Sequence, residues 1–472
     1  MNLSSQEFNR LKIEGSEFVV YIDVNSDELT PIGVFQRLKS KNKALLESME
    51  NGYVRSRYSI IAIDPYKKVF GTGRDITIIS NGETVISEED PISYFKNDIN
   101  KSIEGSLPFV GGAIGYFGYD IKSLYENIGE TKYDPIKVPD YYFMYYKTYI
   151  IFDHLTDTIF IGKTVQLGED VSYEECRDAL EKIKDSILME KPITPIENES
   201  QIVFESNTSE EEFKSMVTRA KEYIEIGDIF QVVLSQRFSA TIKGDEFFLY
   251  RKLRRFNPSP YMFYIEFDGF TILGSSPESL VKVEGRNIIT NPIAGTRKRG
   301  KSDMEDEEII KGLLEDEKER AEHLMLVDLG RNDIGKVSEI SSVNVESLLK
   351  PEKFSSVIHL TAKVSGKLKE NLHPLDGFTS VFPAGTLSGA PKIRAMEIIN
   401  ELEKEKRGVY GGAIGYMSFN GNIDFAIAIR CGLIKNNKIY IQSGAGVVYD
   451  SVEEREYEET KSKALSVMEV LS

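Results

Sequence analysis

The chain has 472 residues, of which 41% are hydrophobic and 10% aromatic, enough apolar side chain for a globular core. Its net charge of −17 argues against a general nucleic-acid or anionic-membrane surface, since both need a basic face. Cys176 and Cys431 stand far apart and match no metal-ligand spacing, which excludes a cysteine-based zinc site and favours a reducing compartment.

The N-terminal segment lacks the apolar stretch that is typical of a signal peptide. No uninterrupted apolar run approaches the ~20 residues that a membrane-spanning helix needs. The sequence therefore predicts a cytoplasmic protein that binds neither nucleic acid nor membrane.

The first part of the chain, residues 1–190, is predicted to be rich in strands. Segments such as EFVVYIDV and ITIISNGETVIS alternate or cluster β-branched and aromatic residues, and NGE at 81–83 predicts a hairpin turn. An amphipathic helix is predicted over 172–188. Residues 191–201 contain two prolines and little periodicity, so we predict a linker between an N-terminal domain, 1–190, and a second domain, 202–472.

The second part of the chain mixes helices and strands. SNTSEEEFKSMVTRAKEYIEI predicts a helix that begins with a Ser/Thr cap, and FQVVLSQRFSATI predicts the strand that follows it. LIKNNKIYIQ, at 433–442, predicts a hairpin. The irregular order favours an α+β fold, with antiparallel sheets and helices on their outer faces, over a regular βαβ winding.

The hexapeptide GGAIGY occurs twice, at 111–116 and at 411–416. It could mark an internal duplication, or two strands in which glycines let neighbouring backbones approach closely. The flanking residues do not match, which favours the second interpretation.

Two predicted helices carry acidic pairs at a spacing of three, which places each pair on one helix face. The pairs are Glu319 with Glu322 and Glu456 with Glu459. Taken alone, each pair is typical of a solvated helix surface. Brought together, the four carboxylates would provide the oxygen ligands that Mg²⁺ prefers.

Several other segments could bind an anion. The loops FPAGTLSGAPK and QSGAGVV expose backbone N–H groups, although neither matches a nucleotide-binding motif. Arg430 lies in an apolar strand, where an arginine needs an anionic partner. NPIAGTRKRG, at 291–300, ends a strand in Gly-Thr beside Arg297, Lys298 and Arg299, which could hold an anion or form a tight turn with a solvated basic rim.

His359 lies in the nearly uncharged segment FSSVIHLTAKVSG. Such a histidine is either a structural residue with satisfied hydrogen bonds or a proton donor or acceptor. Together, the cationic and glycine-rich segments require carboxylates, whereas the paired glutamates require a cation. A small polyacid that Mg²⁺ bridges to protein carboxylates satisfies both requirements.

In their order along the chain these segments resemble the chorismate-utilising enzymes. The resemblance covers most of 202–472 and is thinner over 1–190, where LLES and GGAIGYFGYD carry it. It implies two large, mainly antiparallel β-sheets packed together with helices outside, and a catalytic role for 202–472. The matching motifs in that region are GDIFQVVLSQR, NPSPYMF, GSSPESLV, PIAGTRKRG, DEKERAEHLMLVDLGRND, FPAGTLSGAPK, VYGGAIGY, AIAIR and GAGVVYDSVEEREYEET.

The resemblance implies that the substrate is chorismate and that Mg²⁺ holds its ring carboxylate. Glu322 and Glu459 would be the principal metal ligands, supported by Glu319 and Glu456.

Further implied positions contact the substrate directly. Arg430, with Tyr410, would clamp the enolpyruvyl carboxylate, and His359 would be the acid–base residue that assists loss of the ring hydroxyl. Backbone N–H groups of Gly-Ala-Gly would also donate to the substrate. The remaining implied pocket residues are Thr386, Gly295, Thr296, Gly444, Ala445, Gly446 and Lys463.

Two positions separate the branches of this family. Isochorismate and salicylate synthases carry a water-activating lysine where this chain has Gln231, and aminodeoxychorismate synthases carry a nucleophilic lysine where it has Ala294. Both departures favour direct attack by ammonia and the branch that forms anthranilate and pyruvate, a lyase reaction. The alternatives are the aminodeoxychorismate branch and a non-catalytic regulatory subunit that binds an amino acid.

The resemblance also implies two partners besides the substrate. Neither cysteine suits a glutaminase nucleophile, so ammonia would come from a separate glutaminase subunit in a hetero-oligomer. Tryptophan would inhibit by binding at LLES and NPSPYMF, although NPSPYMF is also typical of a rigid proline turn before a core strand. The implied inhibitor residues are Glu47, Ser48, Pro260, Tyr261 and Met262.

Overall fold

A computed structural model describes residues 1–50, 54–55, 57–99, 103–130, 132–189, 202–354 and 357–471. The predicted linker, 191–201, lies outside these residues. No helix in the described ranges is long and apolar enough to cross a membrane.

The helices of the described residues begin and end as follows. They are α1 (Ser5–Ile13), α2 (Pro31–Arg37), α3 (Pro91–Asp98), α4 (Tyr173–Met189), α5 (Glu210–Glu225), α6 (Glu246–Phe256), α7 (Asp303–Glu315), α8 (Glu317–Gly335), α9 (Pro374–Val381), α10 (Lys392–Leu402) and α11 (Glu453–Leu471), with 3-10 helices at Tyr119–Leu124 and Gly385–Leu387.

The strands alternate irregularly with these helices along the chain. They are β1 (Phe18–Asn25), β2 (Ala44–Glu47), β3 (Met49–Glu50), β4 (Val54–Arg55), β5 (Tyr58–Ile63), β6 (Lys67–Thr72), β7 (Asp75–Ser80), β8 (Glu83–Glu88), β9 (Gly112–Phe117), β10 (Tyr141–Tyr146), β11 (Thr148–Asp153), β12 (Thr158–Val165), β13 (Glu205–Ser206), β14 (Gln231–Thr241), β15 (Tyr261–Phe267), β16 (Phe270–Ser276), β17 (Ser279–Glu284), β18 (Asn287–Thr290), β19 (Ile293–Lys298), β20 (Asn344–Lys353), β21 (Val357–Lys367), β22 (Gly389–Ala390), β23 (Ala413–Ser418), β24 (Ile423–Ile427), β25 (Cys431–Lys435) and β26 (Lys438–Val447).

Two large antiparallel sheets form the centre of the molecule. The first has the order β1-β12-β11-β5-β2-β15-β16-β25-β26-β14-β13, with β22 paired to β14. The second has the order β19-β21-β18-β17-β24-β23-β9-β10-β6-β7-β8, with β20 paired to β21. The α+β fold predicted from the sequence, two antiparallel sheets with helices outside, is confirmed.

Local signals explain many of these elements. Ser209 and Glu212 form the capping box that begins α5, each side chain bonding the other's backbone N–H. Asn81 and Gly82, both with positive φ, form the two-residue turn between β7 and β8. Asn436 and Asn437, also with positive φ, close the hairpin of β25 and β26. The predicted helices and hairpins at these places are confirmed.

The two sheets pack face to face over one apolar cluster. Tyr116, Tyr142 and Ile414 from the second sheet join Ile151 and Ile272 from the first. Two further clusters fill the outer faces, where helices such as α4 and α6 cover the first sheet and α3 and α9 cover the second. Apolar burial on both faces of each sheet therefore holds the layers together.

Both predicted domains contribute strands to both sheets. In the first sheet β2 pairs with β15, and in the second β9 pairs with β23. The domain boundary stays a prediction, but the segments 1–190 and 202–472 share their sheets rather than forming separate layers.

The two copies of GGAIGY form neighbouring strands. β9 and β23 pair antiparallel, with Gly115 opposite Gly415. A Cβ on Gly415 would lie 1.9 Å from the carbonyl oxygen of Asp424, and one on Gly115 would lie 1.9 Å from that of Tyr142. The structure supports the interpretation that these glycines permit close backbone approach.

Candidate active site

The acidic pairs lie on two helices that face the same space. α8 packs on β19 and β21, whereas α11 packs on β26. The charge of Lys463, on α11, acts on Glu322, and the charge of Lys318, on α8, acts on Glu456. The fold thus brings together two pairs that are separated by more than 130 residues in the sequence.

Within each pair, one carboxylate contacts a cation. Glu319 Oε1 accepts a hydrogen bond of 2.7 Å from Arg297, and Glu459 forms an ion pair of 2.7 Å with Lys463. Burial, followed by the charge of Glu319, raises the pKa of Glu322. Burial, reinforced by Glu459, also raises the pKa of Glu456. A positive charge placed between the two helices would lower the raised pKa values of Glu322 and Glu456.

The donor set of this acidic cluster suits a hard cation. All four ligand candidates offer carboxylate oxygens, which Mg²⁺ prefers, and Mg²⁺ typically takes only one or two from a protein while water and substrate fill the rest. No group of three or more His, Cys, Asp or Glu side chains in the described part of the chain is placed so that it could hold a metal ion. The chemistry of the carboxylate donors suits Mg²⁺, but their spacing does not form a complete set of protein ligands.

Arg430 lies where β24 gives way to β25, with a positive φ of 48°. Its carbonyl oxygen accepts a hydrogen bond of 3.1 Å from Ser275 N–H, which holds this unusual conformation. Burial lowers the pKa of the guanidinium, and the charge of Glu278 opposes that shift. Glu278 acts on this guanidinium through its charge alone, and among the described residues the guanidinium makes no hydrogen bond or ion pair, so it remains able to bind an anion.

Glu278 is a site residue that the sequence analysis missed. It follows β16, is buried, and accepts a hydrogen bond of 3.0 Å from Thr386 Oγ1. Burial raises its pKa to about 7, against the opposing effects of Thr386, Lys463 and Arg430. One Glu after Ser-Pro is typical of an exposed turn; the available signals are its position between two apolar strands and its place in the motif GSSPESLV.

His359 lies on β21 with its ring held by the Gly295–Thr296 turn. Its Nδ1 is 3.1 Å from Gly295 O and 3.0 Å from Thr296 Oγ1. Because a carbonyl only accepts, Nδ1 carries the proton, which leaves Nε2 as an acceptor; that atom is buried and has no hydrogen-bond partner among the described residues.

Burial lowers the pKa of His359 to about 4, so the ring is neutral at pH 7. The sequence alone is compatible with either a proton donor or a proton acceptor at this position. The tautomer and the lowered pKa both favour an acceptor at Nε2 over a proton donor.

The Gly295–Thr296 turn is a bulge in β19, at the register shift between Ala294 and Thr296. Gly295 has φ 63°, and a Cβ there would lie 3.2 Å from Glu319 Oε2, so glycine keeps this turn close to the acidic cluster. Two of the three neighbouring cations pair with protein carboxylates, Arg297 with Asp316 and Glu319 and Arg299 with Asp306, whereas Lys298 is exposed.

The Gly-Ala-Gly segment lies on β26 opposite β14. Ser235, the partner of Gly444, directs its N–H to Glu403, and Val233, the partner of Gly446, directs its N–H to Ser388 O. Gly444 and Ser235, like Gly446 and Val233, are therefore non-hydrogen-bonded pairs of the antiparallel ladder. The intervening residue, Ala445, exchanges backbone hydrogen bonds with its partner on β14.

This alternation bears on the three N–H groups that the resemblance implies as donors, a role that stays a prediction. Gly444 and Gly446 direct their backbone groups away from β14, as the bond of 3.1 Å from Lys463 Nζ to Gly444 O shows. Ala445 uses its N–H in the ladder. Two of the three predicted donors face the site.

Side chains stand directly over these two glycines. A Cβ on Gly444 would lie 2.8 Å from Tyr410 Oη, and one on Gly446 would lie 2.7 Å from Gln231 Nε2. The amide of Gln231 also lowers the pKa of Glu322. The predicted residues Tyr410, Lys463, Thr386 and Gly444 thus share one space with Arg430, Glu278 and the acidic helices.

The predicted inhibitor residues lie together at one end of β2 and β15, but on two faces. Met262, opposite Glu47, packs toward the helices, whereas Tyr261 lies between the sheets and donates a hydrogen bond of 3.0 Å to Asp424. The carboxylate of Glu47 accepts bonds of 2.8 Å from both Arg254 and Tyr250. Glu47 is therefore already paired with α6. Ser48 and Pro260 are partly buried beside these strands.

Comparison with known proteins gives consistent matches. Residues 41–469 match the family described as chorismate binding enzyme. The chain is 46% identical to anthranilate synthase component 1 of Lactococcus lactis, over 95% of this chain and 98% of that protein. It is 45% identical to the protein of the same name from Acetivibrio thermocellus, over 96% of this chain and 94% of that protein.

Two solved structures extend the comparison to the fold. Anthranilate synthase component I from Streptococcus pneumoniae superposes with a TM-score of 0.82 at 42% identity, covering 94% of this chain and 99% of that one. The menaquinone-specific isochorismate synthase of Escherichia coli superposes with a TM-score of 0.73 at 17% identity, covering 99% of both chains. The second likeness concerns the fold alone.

Proposed function

The chain belongs to the family of chorismate binding enzymes, and from this we propose that it is the large subunit of an anthranilate synthase. It would convert chorismate and ammonia to anthranilate and pyruvate, the first committed step toward tryptophan. Support comes from relatives named anthranilate synthase component 1 that match at 40 to 46% identity over nearly the full length of both chains.

One observation of the site carries the chemistry of the proposal. Arg430, whose guanidinium has no described anionic contact, lies within electrostatic reach of Glu278, a buried carboxyl with a pKa of about 7. An anion clamp beside a protonated carboxyl is suited to a substrate that is a polyacid and that must lose a hydroxyl group.

The reaction follows in two stages. Arg430 binds the enolpyruvyl carboxylate, and Glu278 gives its proton to the ring hydroxyl, which leaves as water while ammonia forms the new C–N bond. In the second stage a ring proton is lost and the enolpyruvyl group leaves as pyruvate, which yields the aromatic ring. His359 Nε2 acts as an acceptor that orients a ring hydroxyl or receives a proton.

Two site positions support ammonia as the nucleophile. Gln231, whose amide lowers the pKa of Glu322, cannot act as a base, and Ala294, buried on β19, has no amine to attack the ring. The aminodeoxychorismate and isochorismate reactions both require a lysine that this chain lacks at these positions.

Mg²⁺ is the cofactor that we propose. Glu322 and Glu459, supported by Glu319 and Glu456, would hold it between α8 and α11. When bound, the ion would neutralise the ring carboxylate of chorismate and orient it between the two helices. The raised pKa values of Glu322 and Glu456 support this assignment.

We also propose that a separate glutaminase subunit supplies ammonia, in keeping with the "component" of the relatives' names. Both cysteines of this chain are buried, and burial raises the pKa of Cys431 to about 12 and also raises that of Cys176. Neither is therefore suited to serve as a glutaminase nucleophile. Free buried thiols also support a cytoplasmic location.

Inhibition by tryptophan at β2 and β15 is a further proposal. Support comes from the adjacency of Ser48, Pro260, Tyr261 and Met262 at the ends of these strands. Because Glu47 is paired with Arg254, we expect Glu47 to fix the strand ends, with neighbouring groups recognising the amino acid.

The proposal is tested by incubating the purified chain with chorismate, Mg²⁺ and ammonium chloride. We expect the fluorescence of anthranilate to appear without any added lyase. A product that becomes aromatic only after an aminodeoxychorismate lyase is added would favour the aminodeoxychorismate branch. Tryptophan binding without turnover would favour a regulatory subunit.

A further inference from the structure

Arg407 lies in the segment between α10 and β23, only 3% exposed, and its guanidinium contacts several parts of the site at once. Nε and Nη2 donate to the two oxygens of Glu403 at 2.8 and 2.6 Å. Nη1 donates to Leu387 O at 2.7 Å, and Nη2 also donates to Val233 O at 2.7 Å. Four directed bonds therefore fix the plane of this guanidinium.

The partners of Arg407 belong to different walls of the candidate site. Leu387 follows Thr386, whose hydroxyl bonds Glu278. Val233 lies opposite Gly446, one of the two glycines whose N–H groups face the substrate space. One side chain thus joins the wall that carries the proton donor to the strand that carries the backbone donors.

Arg407 also supports Tyr410 through its ring. The guanidinium carbon is 5.7 Å from the centre of the Tyr410 ring and 4.6 Å from that of Tyr119, within the range of cation–π contact. Tyr119 in turn bonds Ser388, in the same loop as Thr386. The hydroxyl of Tyr410 stands over Gly444, so the ring that Arg407 contacts forms part of the site.

A second buried arginine provides the contrast. Arg237 lies on the same strand as Val233 and is 6% exposed. It pairs with Glu405 and donates to Lys406 O, but it has no described contact with a residue of the site. Burial and an ion pair therefore do not by themselves distinguish Arg407; its contacts with the site walls do.

We propose that Arg407 is a positioning residue of the reaction, which sets Tyr410 against the Gly-Ala-Gly strand and Thr386 against Glu278. This inference rests on the proposed function, since it assigns a role to residues of the same site. Arg407 does not touch the reacting atoms and acts through Tyr410, Leu387 and Val233.

The inference predicts a specific kinetic signature. Misplacing a positioned group by about 1 Å can cost ~100-fold in rate, so Arg407→Lys should lower kcat/KM by about that factor. The bond from Thr386 lowers the pKa of Glu278, so losing it should move the alkaline limb of the pH–rate profile to higher pH. A residue that served stability alone would leave this limb in place.

Arg237→Lys is the matched control. Both variants are assayed for anthranilate formation across pH 6 to 9, and their unfolding is followed in urea. We expect Arg237→Lys to retain kcat/KM within a few-fold of the parent and an unshifted pH profile, even if both variants lose similar stability. Equal losses of activity in the two variants, with unchanged pH profiles, would overturn the inference.

A double variant keeps the test valid if Arg407→Lys fails to fold. Arg407→Met with Glu403→Gln removes the two buried charges together and keeps a side-chain oxygen at position 403 that accepts the bonds from Ser235 N–H and Oγ. We expect this variant to fold and still to lose ~100-fold in kcat/KM; full activity would contradict the inference.

Chemical rescue provides an independent readout. A surface cavity of about 390 Å³ reaches Glu403, the partner of the Arg407 guanidinium, and is also lined by the control residue Arg237, so added guanidinium can approach both positions. Added millimolar guanidinium should partly restore the activity of Arg407→Ala and leave that of Arg237→Ala unchanged. Rescue of neither or of both variants would count against the inference. A parent chain that forms no product from chorismate would instead overturn the proposed function.

Discussion

At the scale of single residues, the surroundings of Glu278 and Arg430 disfavour the charged form of each side chain unless a ligand compensates it. A buried carboxyl with a pKa of about 7 is roughly half protonated at neutral pH, and a partly buried guanidinium without a bonded carboxylate remains incompletely compensated. Groups with such shifted pKa values concentrate where catalysis requires them. The two residues therefore provide the clearest chemical test of the site.

The pH dependence of the reaction should report the state of Glu278. As a proton donor it must be protonated, so kcat/KM should fall as pH rises through about 7. Glu278→Gln keeps the size of the side chain but donates no proton, and we expect kcat to drop by 10²–10⁴-fold and the alkaline limb to disappear. The measurement is anthranilate fluorescence from pH 5.5 to 9. An unaltered alkaline limb in the variant would assign that titration to another group.

At this scale the sequence is informative where the chemistry is visible in one side chain. Arg430 was predicted as an anion ligand because arginine is out of place in an apolar strand. Glu278 was missed because its protonation depends on burial by segments distant in sequence, such as the loop that carries Thr386. His359 could be found, but its tautomer required the position of Gly295 O.

At the scale of elements, turns and caps followed from local sequence, whereas contacts between helices did not. Asn81–Gly82 and the Ser209–Glu212 capping box are determined by neighbours within three residues. That α8 and α11 face each other depends on the strands on which each packs. The acidic pairs therefore remained ambiguous until the sheets were assembled.

Mg²⁺ binding should depend on which face of α11 a glutamate occupies. We expect Glu459→Gln to raise the Mg²⁺ concentration for half-maximal activity by at least 10-fold, because an oxygen ligand loses its charge. Glu458→Gln, one residue earlier, is the control, since Glu458 is exposed and contacts only Lys461 among the described residues. Calorimetric titration of Mg²⁺ gives a second measurement without turnover. Equal Mg²⁺ dependence of the two variants would remove Glu459 from the metal site.

The close approach of β23 to β24 at Gly415 gives a prediction about stability. Gly415→Ala would place a methyl group 1.9 Å from Asp424 O, so β23 must move away from β24, and we expect a loss of about 3 kcal/mol or more in the free energy of unfolding. Gly312→Ala, in α7, has open space and should raise stability by roughly 0.5–1 kcal/mol. Urea denaturation of both variants tests this; a Gly415→Ala variant as stable as the parent would contradict the close approach.

At the scale of the whole molecule, the two sheets determine what can fold independently. The predicted boundary at 191–201 suggested two domains because composition and periodicity change there. Composition does not reveal that β2 pairs with β15 or that β9 pairs with β23. Pairings over such distances have no local sequence signal, and for that reason the strand order could not be predicted.

Separating the two parts of the chain should therefore prevent folding. We expect fragments 1–189 and 202–472, expressed alone, to be aggregated or partly folded, because each lacks neighbours in both sheets. Co-expressed fragments should recover a stable complex with activity. Circular dichroism, size-exclusion chromatography and the anthranilate assay measure these outcomes. A fragment 202–472 that folds cooperatively by itself would establish it as an independent domain.

The pairing of β9 with β23 also determines how long β9 lacks a neighbouring strand during synthesis. Gly415 follows its partner Gly115 by 300 residues, so at about 5–20 residues per second β9 leaves the ribosome roughly 15–60 s before its neighbour exists. Throughout that interval a strand with six buried residues has an open edge. Until β23 has been synthesised, the open edge of β9 is therefore available for pairing with other chains.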